Sequence, residues 1–90
     1  MQYIILKPEY SIKKKLEDEF VIINEKGEDI GKINYQTNEL IERLNNRNTL
    51  DEICDYFVSN TSKSHEYVKN NMAKVIQFLL ANGILQEERN

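Results

Sequence analysis

The side chains in this sequence that could take part in acid–base or nucleophilic chemistry are few and scattered. There is one histidine, His65, and one cysteine, Cys54. A catalytic histidine or thiolate needs an acid or a base held beside it, and neither residue has such a partner at a meaningful spacing. The sequence also lacks a glycine-rich phosphate loop, a paired Cys or His metal pattern and a Gly-x-Ser-x-Gly motif. We therefore expect no catalytic site, no metal and no cofactor, and the protein is predicted not to be an enzyme.

The single cysteine is predicted to be a buried, unreactive thiol. Cys54 lies on the apolar face of a predicted helix, and no basic residue that could activate it is near in sequence. One cysteine also excludes an internal disulfide. His65 falls in the first turn of another predicted helix, where a surface position is expected.

Composition and charge indicate one small cytoplasmic domain. The 90-residue chain is 40% hydrophobic and 30% charged, which is enough for one modest core. It has no apolar run near the roughly 18 residues that a membrane span needs, and residues 1–10 lack the basic region and cleavage site of a signal peptide. The net charge of −3 argues against a nucleic-acid binder. The basic run Lys13–Lys15 is followed at once by acidic residues and is predicted to be a solvated turn.

The first third of the chain has the pattern of β-strands. Strands are predicted at about residues 2–7 and 20–24, which are rich in β-branched and aromatic residues, with a connecting loop at residues 9–18. Gly27 stands in a polar turn, where a positive φ is favoured. The turn predicts a hairpin, so that a third strand at about residues 30–34 runs antiparallel to the second.

The remainder of the chain has the pattern of three helices, at about residues 35–45, 50–59 and 65–82. Asn34 is placed to cap the first helix, and Thr49 with Glu52 forms a capping box for the second. Strands followed by helices predict an α+β domain, with the helices packed on one side of a three-stranded antiparallel sheet. A winged helix-turn-helix is the compact form of these parts.

The third helix carries more apolar residues than a three-helix core needs. Its inner stripe is predicted at Val68, Met72, Val75 and Leu79. Further apolar residues lie outside that stripe, which suggests a groove on the helix surface. They are Ile76, Phe78 and Leu80.

Three tracts of the sequence resemble, in order and spacing, the motifs of the PqqD-like family. Ile33-Asn34, Thr37 and Leu40-Ile41 are similar to its Leu-Asn-x-x-small-x-x-Ile/Leu motif. The tract Thr49–Ile53 is similar to its Thr-x-x-Glu-Ile opening of the second helix. Residues 75–85 are similar to its closing Phe/Val-Leu-x-x-Leu-x-x-x-Gly-Leu-Leu/Ile pattern. The resemblance covers about residues 20–85, and it departs at Thr37, where the family commonly has Ala or Gly.

The resemblance implies a function in the biosynthesis of ribosomally made, modified peptides (RiPPs). The family includes the RiPP precursor peptide recognition elements, small winged-helix domains that bind a leader peptide and present the core peptide to a modifying enzyme. Some members of the family are fused to enzymes, and others, as in pyrroloquinoline quinone and lasso peptide biosynthesis, stand alone. The expected partners are therefore a precursor (leader) peptide and a modifying enzyme or leader peptidase, with no nucleic acid and no membrane. Residues 1–90 are expected to form one complete domain, because the helices are complete from cap to cap and residues 86–90 are charged, and to be monomeric.

In the family the leader adds as a strand to the edge of the third strand, in the cleft against the third helix. An exposed strand edge is also a physical reason to expect strand addition, because its backbone groups lack partners. Lys69 or Lys32 could meet acidic leader residues. The predicted peptide-binding residues are Glu28, Asp29, Ile30, Gly31, Lys32 and Ile33 on the strand side, and Lys69, Met72, Ala73, Ile76 and Leu80 on the helix side.

Two other functions are compatible with the same elements. A winged helix that binds DNA would need several Lys or Arg residues on its recognition helix, and the third helix offers Lys69 and Lys74 against Glu66. A subunit or dimerisation module without a peptide ligand would instead cover the edge of the third strand with a second chain.

Overall fold

Five strands and three helices make up an α+β fold across residues 2–89, the part of the chain that the computed structural model describes. The elements follow in the order β1 (Gln2–Leu6), β2 (Ser11–Leu16), β3 (Glu19–Ile23), β4 (Asp29–Ile33), α1 (Tyr35–Asn45), α2 (Leu50–Ser59), α3 (His65–Ala81) and β5 (Leu85–Arg89).

The strands form two antiparallel sheets, where one had been expected. A three-stranded sheet has the order β2-β3-β4, and β1 pairs with β5 in a separate two-stranded sheet. The predicted three-stranded sheet therefore exists, but its first strand was assigned to the wrong segment. The residues predicted as a loop contain β2, and the segment predicted as the first strand pairs with the chain's last strand, which had not been predicted.

The missed strands are polar for a physical reason. In β2, five of the six residues are exposed, since the strand lies at a sheet edge and has three lysines in a row. β5 begins with the buried Leu85 and continues with Gln86, Glu87 and Glu88. Propensity and alternation indicate apolar side chains buried on at least one face, so an exposed strand such as β2 and a polar strand such as β5 give almost no signal in the sequence.

The hairpin between β3 and β4 sets the geometry of the sheet. Gly27 has a φ of 82°, and Asn24 organises the turn: its side-chain Oδ1 accepts the amides of Lys26 and Glu28, each at 3.0 Å. Ile22 lies opposite Gly31, whereas Ile23 lies opposite Asp29, so Ile30 is an extra residue in β4. This β-bulge sits at the turn end of β4 and leaves Gly31–Ile33 in regular register.

The helices begin where their caps predict. Asn34 Oδ1 accepts the amide of Thr37 at 2.8 Å, and the capping box of Thr49 and Glu52 is formed in both directions. Ser64 caps α3. No helix within residues 2–89 is long and apolar enough to cross a membrane.

The core lies between the helices and both sheets, because Ile22 of β3 and Leu85 of β5 belong to it and Ile4 and Leu6 of β1 pack against it. Ile41 is 0% exposed and Ile53 and Cys54 are nearly as buried. On α3 the buried stripe is Val68, Met72, Ile76 and Leu79. Ile76 therefore takes the core position that had been predicted for Val75, which is only half-buried and turns towards the surface groove described below.

Candidate functional site

β4 is an edge strand. Among the strands of residues 2–89 it pairs with β3 alone. The amide of Asn24 donates to the carbonyl of Glu28 at 3.0 Å, and bonded and non-bonded pairs alternate along an antiparallel ladder. Asn24 is a bonded position on the β4 side of β3, and Val21 lies three residues before it. Because bonded and non-bonded positions alternate, Val21 is a non-bonded position on that side. Lys32, which lies opposite Val21, therefore directs its amide and carbonyl away from the sheet.

The face of β4 is open at Gly31. A Cβ built at Gly31 would meet no atom within 4 Å, so the sheet face over this residue is uncovered, because a strand Cβ points out of the sheet. Glycine within a strand commonly marks a place where another backbone approaches closely. Ile30 is 42% exposed, although large aliphatic side chains are mostly buried in small domains.

A groove of about 580 Å³ separates the end of β4 from α3. Val75, Phe78 and Leu79 of α3 give it an apolar wall, and Phe78 is 65% exposed. The strand side contributes Lys32 and Ile33. The rest of the lining comes from the β2–β3 turn, the start of α1 and α3: Asp18, Glu19, Asn34, Thr37 and Lys74.

Two side-chain caps hold the end of the groove in place. Asp18 Oδ1, from the β2–β3 turn, accepts a hydrogen bond from the amide of Tyr35 at 2.8 Å. Asn34, the residue directly before α1, caps the same helix. A carboxylate at a helix N-terminus is favoured by the helix dipole. The turn, the end of β4 and the start of α1 are thereby fixed relative to one another, which pre-organises the groove.

The charges around β4 are mostly paired. Lys32 Nζ lies 3.8 Å from Glu19 Oε1, and Lys15 Nζ lies 3.2 Å from Asp29 Oδ2. The second pair joins the two edge strands across β3. Lys74, on the helical wall of the groove, has no ion pair with any residue in the described part of the chain, so its charge is available to a ligand.

The predicted strand residues surround the open edge. Lys32 and Ile33 line the groove, and Gly31 precedes them in the regular part of β4. Asp29 is exposed at the start of β4, and Glu28 belongs to the preceding turn. The structure thus brings the strand side of the predicted site together along one edge.

None of the predicted helix residues lines the groove at β4. Met72 and Ile76 are 7% and 5% exposed and belong to the core. Leu80 is half-buried against that core, while Lys69 and Ala73 are exposed and do not line the groove. The helix side of the groove consists instead of residues that were not predicted as site residues, namely Lys74, Val75, Phe78 and Leu79.

One signal for these residues was present in the sequence. Phe78 stands out as an apolar residue beyond the inner stripe, and Lys74 precedes it by one helical turn, so the two share a face. Placing Ile76 rather than Val75 in the core would have identified this face.

Cys54 and His65, the two residues considered for catalysis, do not line the groove. Burial raises the pKa of the Cys54 thiol, and the carboxylates of Asp55 and Asp51 raise it further. His65 Nε2 lies 3.6 Å from Asp55 Oδ1 at the surface. Residues 2–89 contain no cluster of His, Cys, Asp and Glu that could hold a metal ion.

The same fold occurs in proteins that have been solved as complexes with leader peptides. No protein-family model and no curated protein matches the chain. A lasso peptide synthetase B1 complexed with the leader peptide has a TM-score of 0.78 at 18% identity, over 92% of this chain and 96% of that chain. TbiB1 in complex with the TbiA(beta) leader peptide has a TM-score of 0.75 at 14% identity, over 91% of this chain and 94% of that chain. At these identities the likeness is one of fold.

Proposed function

We propose that this protein binds the leader segment of a ribosomally synthesised precursor peptide by strand addition to β4. The observation that carries the proposal is an unpaired strand edge that borders an apolar groove on α3. Strand addition draws affinity from backbone hydrogen bonds and specificity from pockets for alternate side chains. The backbone of β4 would supply the hydrogen bonds, and the groove would supply a pocket.

The shared fold supports a leader peptide as the ligand. Both similar structures contain a protein bound to a leader peptide, and the PqqD-like motifs of this sequence agree with that class of partner. The bound peptide would be delivered to a modifying enzyme or leader protease, and the protein would act as a cytoplasmic monomer. In this proposal residues 1–90 form one PqqD-like domain of winged helix-turn-helix type, and catalysis belongs to the partner enzyme.

The charge on α3 favours a peptide over DNA. A recognition helix needs several cations facing the groove of the duplex, whereas the exposed surface of α3 offers Lys69 and Lys74 beside Glu66. The net charge of −3 adds a repulsive field towards phosphates.

The direct test is a fluorescence polarisation titration with the labelled leader peptide encoded beside this gene. We expect saturable binding with a Kd on the order of tens of micromolar or tighter, and no binding of a scrambled peptide of the same composition. Absence of binding in that range contradicts the proposal. A gel shift with random DNA at low salt that shows salt-sensitive binding would support the DNA-binding alternative. Sedimentation that shows a tight dimer burying β4 would support a dimerisation module.

A further inference from the structure

A second groove adjoins the one at β4. It has a volume of about 550 Å³ and lies between the start of α1, the N-terminal half of α3 and the loop between α2 and α3. Asn34, Thr37 and Val75 line both grooves. The two are therefore parts of one continuous furrow along α3, and Thr37 lies at their junction.

The length of the furrow suits an extended peptide. Its lining along α3 runs from Tyr67 to Leu79, with most members three or four residues apart along one side of the helix. At a rise of about 1.5 Å per residue this stretch is roughly 18 Å long. An extended chain spans the same distance in about five residues, at about 3.3 Å per residue.

The direction of the furrow follows from the end of β4. The strand stops at Ile33 and the chain turns into α1 at Asn34, so a peptide paired with β4 that continues past Ile33 enters the second groove. If the added strand is antiparallel to β4, as β3 is, the continuing part is N-terminal to the paired part.

The second groove has the chemistry of a pocket for an apolar side chain. Its inner lining is apolar and includes Leu40, Phe57, Val68 and Met72. The rim is polar, and Lys63 is the charged member of its described lining. Lys63 Nζ lies 5.2 Å from the ring of Tyr67 and has no ion pair within residues 2–89. An apolar side chain with an acidic neighbour would complement both features.

We propose that the second groove is a second subsite for the same leader peptide. It takes an aliphatic or aromatic side chain N-terminal to the segment that pairs with β4, with an acidic residue next to that side chain facing Lys63. The inference rests on the proposed function. It adds a specificity determinant that the strand edge cannot supply, because backbone pairing alone is tolerant of sequence.

The test uses two neighbouring asparagines on α3. Asn71 is exposed and lines the second groove, whereas Asn70 is exposed and lines neither groove. Asn71→Trp should fill the groove, and Asn70→Trp places the same side chain one position away. Each variant and the wild type is titrated with the synthetic leader peptide encoded beside this gene, and with the same peptide shortened from its N-terminus to the smallest segment that still binds.

We expect the wild type to bind the full leader about tenfold more tightly than the short peptide. Asn71→Trp should weaken binding of the full leader and leave binding of the short peptide unchanged. Asn70→Trp should change neither. Equal binding of both peptides to the wild type, or an equal effect of Asn71→Trp on both, would overturn the second subsite and leave strand addition standing. Failure of the wild type to bind either peptide would instead overturn the proposed function itself.

Discussion

The three-stranded sheet has two edges, and only one of them is suited to a partner. β2 and β4 both pair with β3 and both contain a bulge. At the β2 edge, Lys13–Lys15 stand in a row, and lysines on an edge oppose the approach of another strand. At the β4 edge, Lys32 is the one lysine of the strand, and its charge is paired with Glu19.

The surroundings of the two edges differ as much as the strands. Beside β2 lies a depression of about 290 Å³ with a mixed lining: four residues are apolar and four are polar, namely Leu6, Ile12, Phe20 and Ile41 with Lys14, Asn38, Glu42 and Asn45. Beside β4 the groove has twice that volume and an apolar wall with an exposed phenylalanine. Unpaired backbone is present at both edges, so the side chains around each strand decide which edge can accept a peptide.

The largest expected effect comes from removing one outward-facing amide at each edge. Lys14, opposite Phe20, occupies the same kind of outward position in β2 as Lys32 does in β4. Proline is tolerated where the amide faces solvent, so Lys32→Pro and Lys14→Pro should both fold. Lys32→Pro removes a donor and obstructs a neighbouring strand, and should weaken leader binding by about 2 kcal/mol, roughly thirtyfold.

Lys14→Pro is the matched control, because it removes the same charge and the same type of donor from the other edge. It should change the Kd in the polarisation titration less than twofold, and Lys32→Ala separates loss of charge from loss of the amide. Cys54 reports folding in each variant: it is 2% exposed, so a thiol reagent should label it slowly while the core is intact. If Lys14→Pro has the larger effect, the peptide uses β2.

A smaller effect is expected from truncating one exposed apolar side chain near each edge. Phe78 and Leu16 are both 65% exposed, so replacing either by Ala should change the free energy of unfolding by no more than about 0.5 kcal/mol. Phe78→Ala should weaken leader binding about five- to tenfold, since the ring would be covered by the peptide. Leu16→Ala should leave the Kd unchanged. Equal losses in the two variants would mean that the α3 wall has no special role.

The smallest effect separates two lysines of α3. Lys74 lines the groove, whereas Lys69 does not. An exposed charge pair contributes about 0.2–1 kcal/mol, so Lys74→Ala should weaken binding of a leader with an acidic residue about twofold to threefold at low salt. The difference should shrink at high salt because of screening. Lys69→Ala should have no effect on the Kd at either salt concentration. A loss of affinity in that variant would mean that the leader binds the face of α3 that the sequence predicted.

The sequence predicts the elements of this protein wherever burial or a cap imposes a pattern. Asn34, the capping box at Thr49 and the turn at Gly27 each have a local chemical reason, and the helices and the β3–β4 hairpin occur where those residues predict them. β2 was not predicted because five of its six residues are exposed, and β5 was not predicted because the residues after Leu85 are polar. The pairing of β1 with β5 joins the two ends of the described chain, and no local pattern can encode such a long-range choice.

The candidate site is predictable to the same extent. Its strand side follows from the hairpin, because a strand that ends a sheet and leads into a helix has an open edge. The helix side depends on whether Val75 or Ile76 enters the core, and both spacings fit a helical period. The bulge at Ile30 is also invisible in the sequence. It turns the backbone locally, so Lys32 is a better place than Ile30 for a proline that tests strand addition.

Amide hydrogen exchange, measured residue by residue by NMR, tests the central claim most directly. In the unbound protein the outward amides of Lys32 on β4 and Lys14 on β2 should both exchange rapidly, because neither has a partner strand. With saturating leader peptide, we predict that exchange at Lys32 slows by at least about tenfold, while exchange at Lys14 is unchanged. Protection of Lys14, or no protection of Lys32 at saturation, would contradict strand addition at β4.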